Sequence, residues 1–231
     1  MRVLVTGGSG FLGAWIIRRL LARGMECVSF DVRTNPRLVE ALAHERAVAV
    51  HWRTGDIADA AATARAFDGC DAAIHLAGIL TTDCAADPVR GAQVNLIGTL
   101  NVFEAARSAG LRRVLYASSA GVFGPDDGAV PLPHTHYGAF KLACEGSARA
   151  YWHDHGIASV GLRPLVVYGA GRETGSSAGS SGKAVAIGSG GPPASSCAPG
   201  AMAAIRSISV FTGVISPASV NACAPSMSAS S

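Results

Sequence analysis

Short apolar runs rich in β-branched residues alternate with helical patterns over most of this 231-residue chain. That alternation limits the fold more than any other feature. VLVT (3–6) reads as a strand. Phe11 to Ala22 has helical spacing, with Leu12, Trp15, Ile16 and Leu20 on one face and Arg18, Arg19 and Arg23 off it, and Gly24 closes it. CVSFDV (27–32) and AVAVHW (47–52) are further strands, followed by an alanine-rich helix from Asp59 to Phe67. AAIHLA (72–77), a long helix over 89–109, RVLYASS (113–119), a helix from Tyr137 to His155 and a strand opening SVGLRPLVVYG (159–169) complete the series. Near-continuous apolar strands are buried on both faces. Strands that alternate with helices across short links form a parallel sheet between two helical layers. The expected class is α/β, a doubly wound parallel sheet of the Rossmann type.

LVTGGSGFLG (4–13) lies between the first strand and the first helix. Gly7, Gly10 and Gly13 are spaced GxxGxxG. In a doubly wound fold such glycines allow a tight turn, a close approach of pyrophosphate to the backbone, and helix packing. Free amides at the helix start then hold the anion. Asp31 ends the second strand, where a ribose-binding acid is expected. A carboxylate there accepts from the ribose hydroxyls and repels a 2′-phosphate, which favours NAD. Arg33 stands close enough to hold a 2′-phosphate, so NADP is the second choice.

YGAFK (137–141) sets Tyr137 and Lys141 one turn apart on a helix face. A free phenol titrates near 10, and about 4 kcal/mol would bring it to neutrality. An ammonium about 4 Å away supplies roughly that at an effective dielectric of 20. The pair is expected to make a phenolate that accepts a hydroxyl proton while hydride leaves for a nicotinamide ring. Ser118 and Ser119 end the fifth strand, on the side where parallel sheets bind ligands. Either hydroxyl could polarise a substrate oxygen. Taken singly, each of these motifs also reads as an ordinary turn or amphipathic helix.

Together, TGGSGFLG, Asp31, GDI (55–57), HLAG (75–78), Asn95, SSAGVFG (118–124), YGAFK and RPLVVYG (163–169) resemble the extended short-chain dehydrogenase/reductases, the NAD-dependent epimerase/dehydratase group. The resemblance covers residues 1 to about 173. It implies that Gly7, Gly10, Phe11, Leu12 and Gly13 surround the pyrophosphate and that Asp31 holds the adenosine ribose. Asp56 and Ile57 flank the adenine, Leu76, Ala77 and Gly78 line the cofactor cleft, and Asn95 lies near it. It makes Ser119 the catalytic serine, Tyr137 the base and Lys141 the ligand of the nicotinamide ribose. It further implies a sugar-like secondary alcohol as substrate, and a homodimer through helices 89–109 and 137–155. The sequence departs from the family in a short loop between Ser119 and Tyr137, in His134 and His136 just before the tyrosine, and in Phe123 where tyrosine is usual. A non-catalytic dinucleotide-binding protein of the same fold is the alternative.

From Thr174 onward the sequence changes character. It contains no Asp, Glu, Leu, Tyr, Trp or His, and only Lys183 and Arg206 are charged. Ser, Ala, Gly and Pro dominate, too few large apolar groups to offset ordering entropy. This part, 174–231, is expected to be a low-complexity tail. It is either a native flexible segment or the product of a shifted reading frame or truncation in a GC-rich gene, and the second is favoured. In the family a substrate-covering region would stand here. The net charge of +3 is scattered, which argues against nucleic acid. No apolar run approaches the roughly 18 residues needed to span a membrane. The six cysteines show no metal or CxxC spacing and are expected to be reduced thiols of a cytoplasmic protein.

Overall fold

The computed structural model describes residues 1–125, 130–167 and 169–172. The expected tail at 174–231, and Tyr168 of RPLVVYG, lie outside the described residues. Six parallel strands form one sheet: β1 (Arg2–Thr6), β2 (Glu26–Asp31), β3 (Val50–Thr54), β4 (Ala72–His75), β5 (Arg113–Ala117) and β6 (Ala158–Leu162). Their order, β3-β2-β1-β4-β5-β6, is the doubly wound arrangement. The strand order therefore reverses direction between β1 and β4, and a crevice opens at their carboxyl ends.

Successive residues of β1 serve opposite layers, as the period of two requires. Val3 and Val5 pack with Ile16, Ile17 and Leu20 of α1 (Phe11–Ala22). Leu4 packs on the other side with Phe30, Phe67, Val102 and Phe103. Both faces are covered, so no polar residue interrupts the strand until Thr6. Two short helices escape the sequence reading, α2 (Arg37–Ala43) and α4 (Thr81–Ala86). Two turns or less of helix carry too little periodicity to be seen.

The chain then continues through α3 (Ala60–Ala66), α5 (Pro88–Ala92), α6 (Gly98–Ser108) and α7 (His136–His155). Asp59 caps α3 by accepting from the amides of Ala61 and Ala62. Thr135 caps α7 at the Gly138 amide, and Gly156 closes it in the left-handed conformation. The long helix expected over 89–109 is present from Pro88 to Ser108, but it contains a widened turn. A π turn, Gln93–Ile97, separates α5 from α6. An inserted residue of this kind re-aims side chains, and such turns concentrate at functional sites. Here the turn carries Asn95.

The four described cysteines, Cys27, Cys70, Cys84 and Cys144, are free and buried. Among the described residues no helix is long and apolar enough to cross a membrane. Beyond β6, Leu165 and Val166 are exposed, at 77% and 51%.

Candidate active site

A cleft of about 820 Å3 opens at the carboxyl ends of β1, β2 and β4. Gly7, Gly10, Asp31, Asp56, Ile57, Leu76, Ala77 and Gly78 all line it. Gly7 has φ +71, a conformation that other L-residues rarely adopt, and a Cβ there would stand 2.9 Å from the Ala77 amide. A Cβ on Gly13 would overlap the Gly7 carbonyl oxygen. The third glycine thus lets α1 settle on the turn itself rather than on the strand. No side chain caps α1 at Gly10, so the first-turn amides of Phe11 and Leu12 are left to an outside anion. This bare cradle fits a dinucleotide diphosphate.

Asp31 is fixed by the glycine turn. Its carboxylate accepts from the amides of Ser9 (3.1 Å) and Val32 (2.8 Å). Burial pushes its pKa up, against the pull of those amides and of Arg33. Ser9 Oγ donates to the Arg33 carbonyl (2.9 Å) and accepts from the Asn35 amide (3.1 Å). The glycine turn and the loop after β2 are therefore one unit.

A buried chain of hydrogen bonds supports the cleft floor. Thr6 Oγ1 accepts from the Ala77 amide and shares that of Leu76, both at 3.2 Å. Its proton therefore goes to His75 Nδ1, 2.7 Å away. That assigns the His75 proton to Nε2, which donates to Thr99 Oγ1 at 3.0 Å, and Thr99 donates to the Asn95 carbonyl at 2.8 Å. Burial, and then the Lys141 charge, drive the His75 pKa down to about 3, so the ring is neutral. The Asn95 amide clamps residue 79 in both directions, accepting from its N–H and donating to its carbonyl, each at 3.2 Å. The sequence reading named HLAG and Asn95 without seeing that His75 joins them.

The expected catalytic residues meet beside this cleft, although none of them is among its lining residues. Ser119 accepts from the Gly121 amide at 3.0 Å, and a Cβ on Gly121 would stand 3.3 Å from its Oγ and 3.8 Å from the Tyr137 ring, so the two side chains converge there. The Lys141 Nζ stands 5.7 Å from the Tyr137 ring centre and would be 3.7 Å from a Cβ on Gly78, which ties the trio to the cleft. Ser118 is buried and donates instead to Glu145 (2.5 Å), so the two neighbouring serines have different surroundings.

The surroundings of the Tyr137–Lys141 pair add to that expectation. The ammonium of Lys141 donates to the Ala117 carbonyl (2.9 Å), a partner that the sequence does not show. Desolvation pushes Tyr137 above the ordinary phenol value, outweighing the pull of Ser119. Desolvation also lowers Lys141. Without cofactor the pair holds a neutral phenol.

Glu145 and Arg163 were missed. Glu145 stands one turn past Lys141, in register with 137 and 141, and this spacing was the available signal. Arg163 grips it through two nitrogens, at 2.8 and 2.6 Å, and lies 4.8 Å over the Phe123 ring. The guanidinium holds the Glu145 carboxyl below its usual range. Of the two loop histidines, His136 stacks on Phe140 (6.2 Å) and His134 packs against Gly124.

The sequence model of the NAD dependent epimerase/dehydratase family matches residues 3–186. The chain belongs to that family. It is 34% identical over 187 residues to a 3-beta-hydroxysteroid dehydrogenase of Mycolicibacterium neoaurum, covering 75% of this chain and 49% of that one. It is 34% identical over 178 residues to a UDP-glucose 4-epimerase of Mycolicibacterium smegmatis, covering 73% and 57%. The Thermus thermophilus UDP-glucose 4-epimerase, crystallised with NAD, superposes with a TM-score of 0.67 at 33% identity, over 77% of this chain and 60% of that one. The chain spans about half the length of the curated relatives it matches.

Proposed function

We propose that this epimerase/dehydratase family member oxidises a secondary alcohol of a sugar or sugar-derived substrate. The convergence of Ser119 and Tyr137 about Gly121, with Lys141 beside the Tyr137 ring and Gly78, carries this reading. Gly7, Gly10 and the first turn of α1 would hold the diphosphate of NAD, and Asp31 its adenosine ribose. When bound, NAD supplies the acceptor for the hydride. Ser119 orients the substrate oxygen against Tyr137, and Tyr137 takes its proton once positive charge beside the ring has lowered its pKa. Lys141 would contribute to that potential from its buried site and would hold the nicotinamide ribose. Asn95 fixes the backbone at Ile79 and so holds the wall that Lys141 faces. Two of the relatives act on sugar nucleotides by name, which supports the sugar class.

The test is Tyr137→Phe, with NADH absorbance and product sugar followed over a panel that includes UDP-glucose and a 3β-hydroxysteroid. The expected result is turnover of a sugar by the wild type and none by the variant, with unchanged NAD affinity. An NAD-binding wild type that turns over nothing would favour a non-catalytic dinucleotide-binding role. Turnover of the steroid alone would move the substrate class.

A further inference from the structure

The adenosine end of the cleft carries a residue that no motif announces. Arg90 Nη2 meets Asp56 Oδ2 at 2.6 Å, across 34 residues of sequence. Both side chains line the cleft, together with Ile57 and Val94. The two walls that they join are each held independently. Asp56 Oδ1 takes the Ala58 amide (2.9 Å), and Asn101 of α6 donates to the carbonyls of Ile57 (3.0 Å) and Ala58 (3.1 Å). On the other wall the Arg90 amide is capped by Asp87 (2.9 Å), and Gly91 lies so close to Cys84 and Phe140 that a Cβ would touch both. Arg90 is thus delivered by a fixed short helix onto a fixed carboxylate. Its side chain remains 40% exposed and faces the cleft.

We propose that Arg90 is an adenine-binding residue, whose guanidinium plane, held by Asp56, forms the outer wall of the adenosine end. This rests on the reading of the cleft as an NAD site. A guanidinium is planar and weakly hydrated, and it stacks on aromatic faces where an ammonium does not. Asp56 takes one nitrogen of the guanidinium, which holds the group at the cleft while 40% of the side chain stays exposed. Ile57 and Val94 offer apolar surface to the same slot. The position favours the base over a 2′-phosphate. Arg33 is the cation whose charge reaches Asp31, on the ribose side, whereas Arg90 is committed to Asp56.

The test measures binding of NAD, AMP and nicotinamide mononucleotide by calorimetry to the whole chain, with Arg90→Met and Arg90→Lys beside the wild type. Arg90→Met is expected to weaken NAD and AMP alike, by roughly tenfold, as loss of one base-stacking partner does. Nicotinamide mononucleotide should be unaffected, and so should the melting temperature, because exposed ion pairs contribute little. Arg90→Lys keeps a charge for Asp56 but no plane, and should weaken AMP nearly as much. Wild-type affinity in Arg90→Met overturns the proposal. Full recovery in Arg90→Lys also overturns it, because neutralising Asp56 would then be the whole role. Equal loss of AMP and nicotinamide mononucleotide overturns it as well. A wild type that binds neither NAD nor AMP defeats the cofactor reading itself, a different result from any of these.

Discussion

The two sides of the cleft are built by different means. On the β1–α1–β2 side, backbone meets backbone. Gly7, Gly10 and Gly13 bring turn, helix and β4 loop so close that side chains would not fit, and Asp31 is held by amides. On the β5–β6 side, long side chains span the gaps. Ser118, Glu145 and Arg163 tie two strand ends to α7, and beyond them Leu165 and Val166 face outward. Close backbone packing is intolerant, because a carbonyl cannot step aside for a methyl group. A side-chain bridge across a partly wet edge is more forgiving, since water takes up what a mutation removes.

Gly13→Ala attacks the rigid side where it is tightest, and the largest loss is expected there. The methyl group meets the Gly7 carbonyl, so about 3 kcal/mol of stability should go, together with NAD binding. Urea unfolding reads the first and calorimetry the second. Near-normal stability would show the turn to be as forgiving as the β5–β6 edge.

His75 gives the rigid side a pH signature. Its folded pKa, about 3, lies below the ordinary 6.5, so the unfolded chain binds the extra proton. Stability is whole above about 6.5 and falls with pH below it, toward about 3. The slope should approach about 1.4 kcal/mol per pH unit from this one group. Denaturant midpoints of wild type and His75→Asn between pH 7 and 5 should differ in slope. Parallel curves would sink the assignment of a neutral ring.

On the other side, Glu145→Gln should cost only about 1 kcal/mol, since Arg163 is a third exposed and water screens the pair. The Glu145 pKa is depressed, so this contribution is present above about 4.5 and is lost as pH falls through the folded value. Glu145→Gln should therefore flatten the acid limb of the stability curve. A loss as large as that of Gly13→Ala would erase the contrast between the two sides.

The smallest change is a gain. Ser29 Oγ is, among the described residues, the one buried side-chain polar atom without a hydrogen-bond partner, and it abuts Gly8. Ser29→Ala should stabilise the chain by about 1 kcal/mol, seen as a higher melting temperature.

The sequence alone determined the layers, the glycine turn and most strands, although it began the third strand at 47, where a 3-10 turn (His44–Ala49) precedes β3. Those depend on local chemistry: β-branched runs, helical spacing, and glycines where a strand becomes a helix. It also put Asp31 at a strand end and Tyr137 and Lys141 one turn apart, because spacing is fixed within those elements, while the choice of Ser119 came from the family resemblance. Only the tertiary structure decided what crosses between elements. Ser118 and Ser119 are neighbours in sequence, yet one faces Glu145 and the other Tyr137. Lys141 answers to the Ala117 carbonyl, and burial leaves Tyr137 a weaker acid than a free phenol. Arg90 meets a carboxylate 34 residues away, and His75 links Thr6 to Thr99. Contacts of that range arise from chain crossing and desolvation, and neither leaves a period or a spacing to be read along one strand or helix.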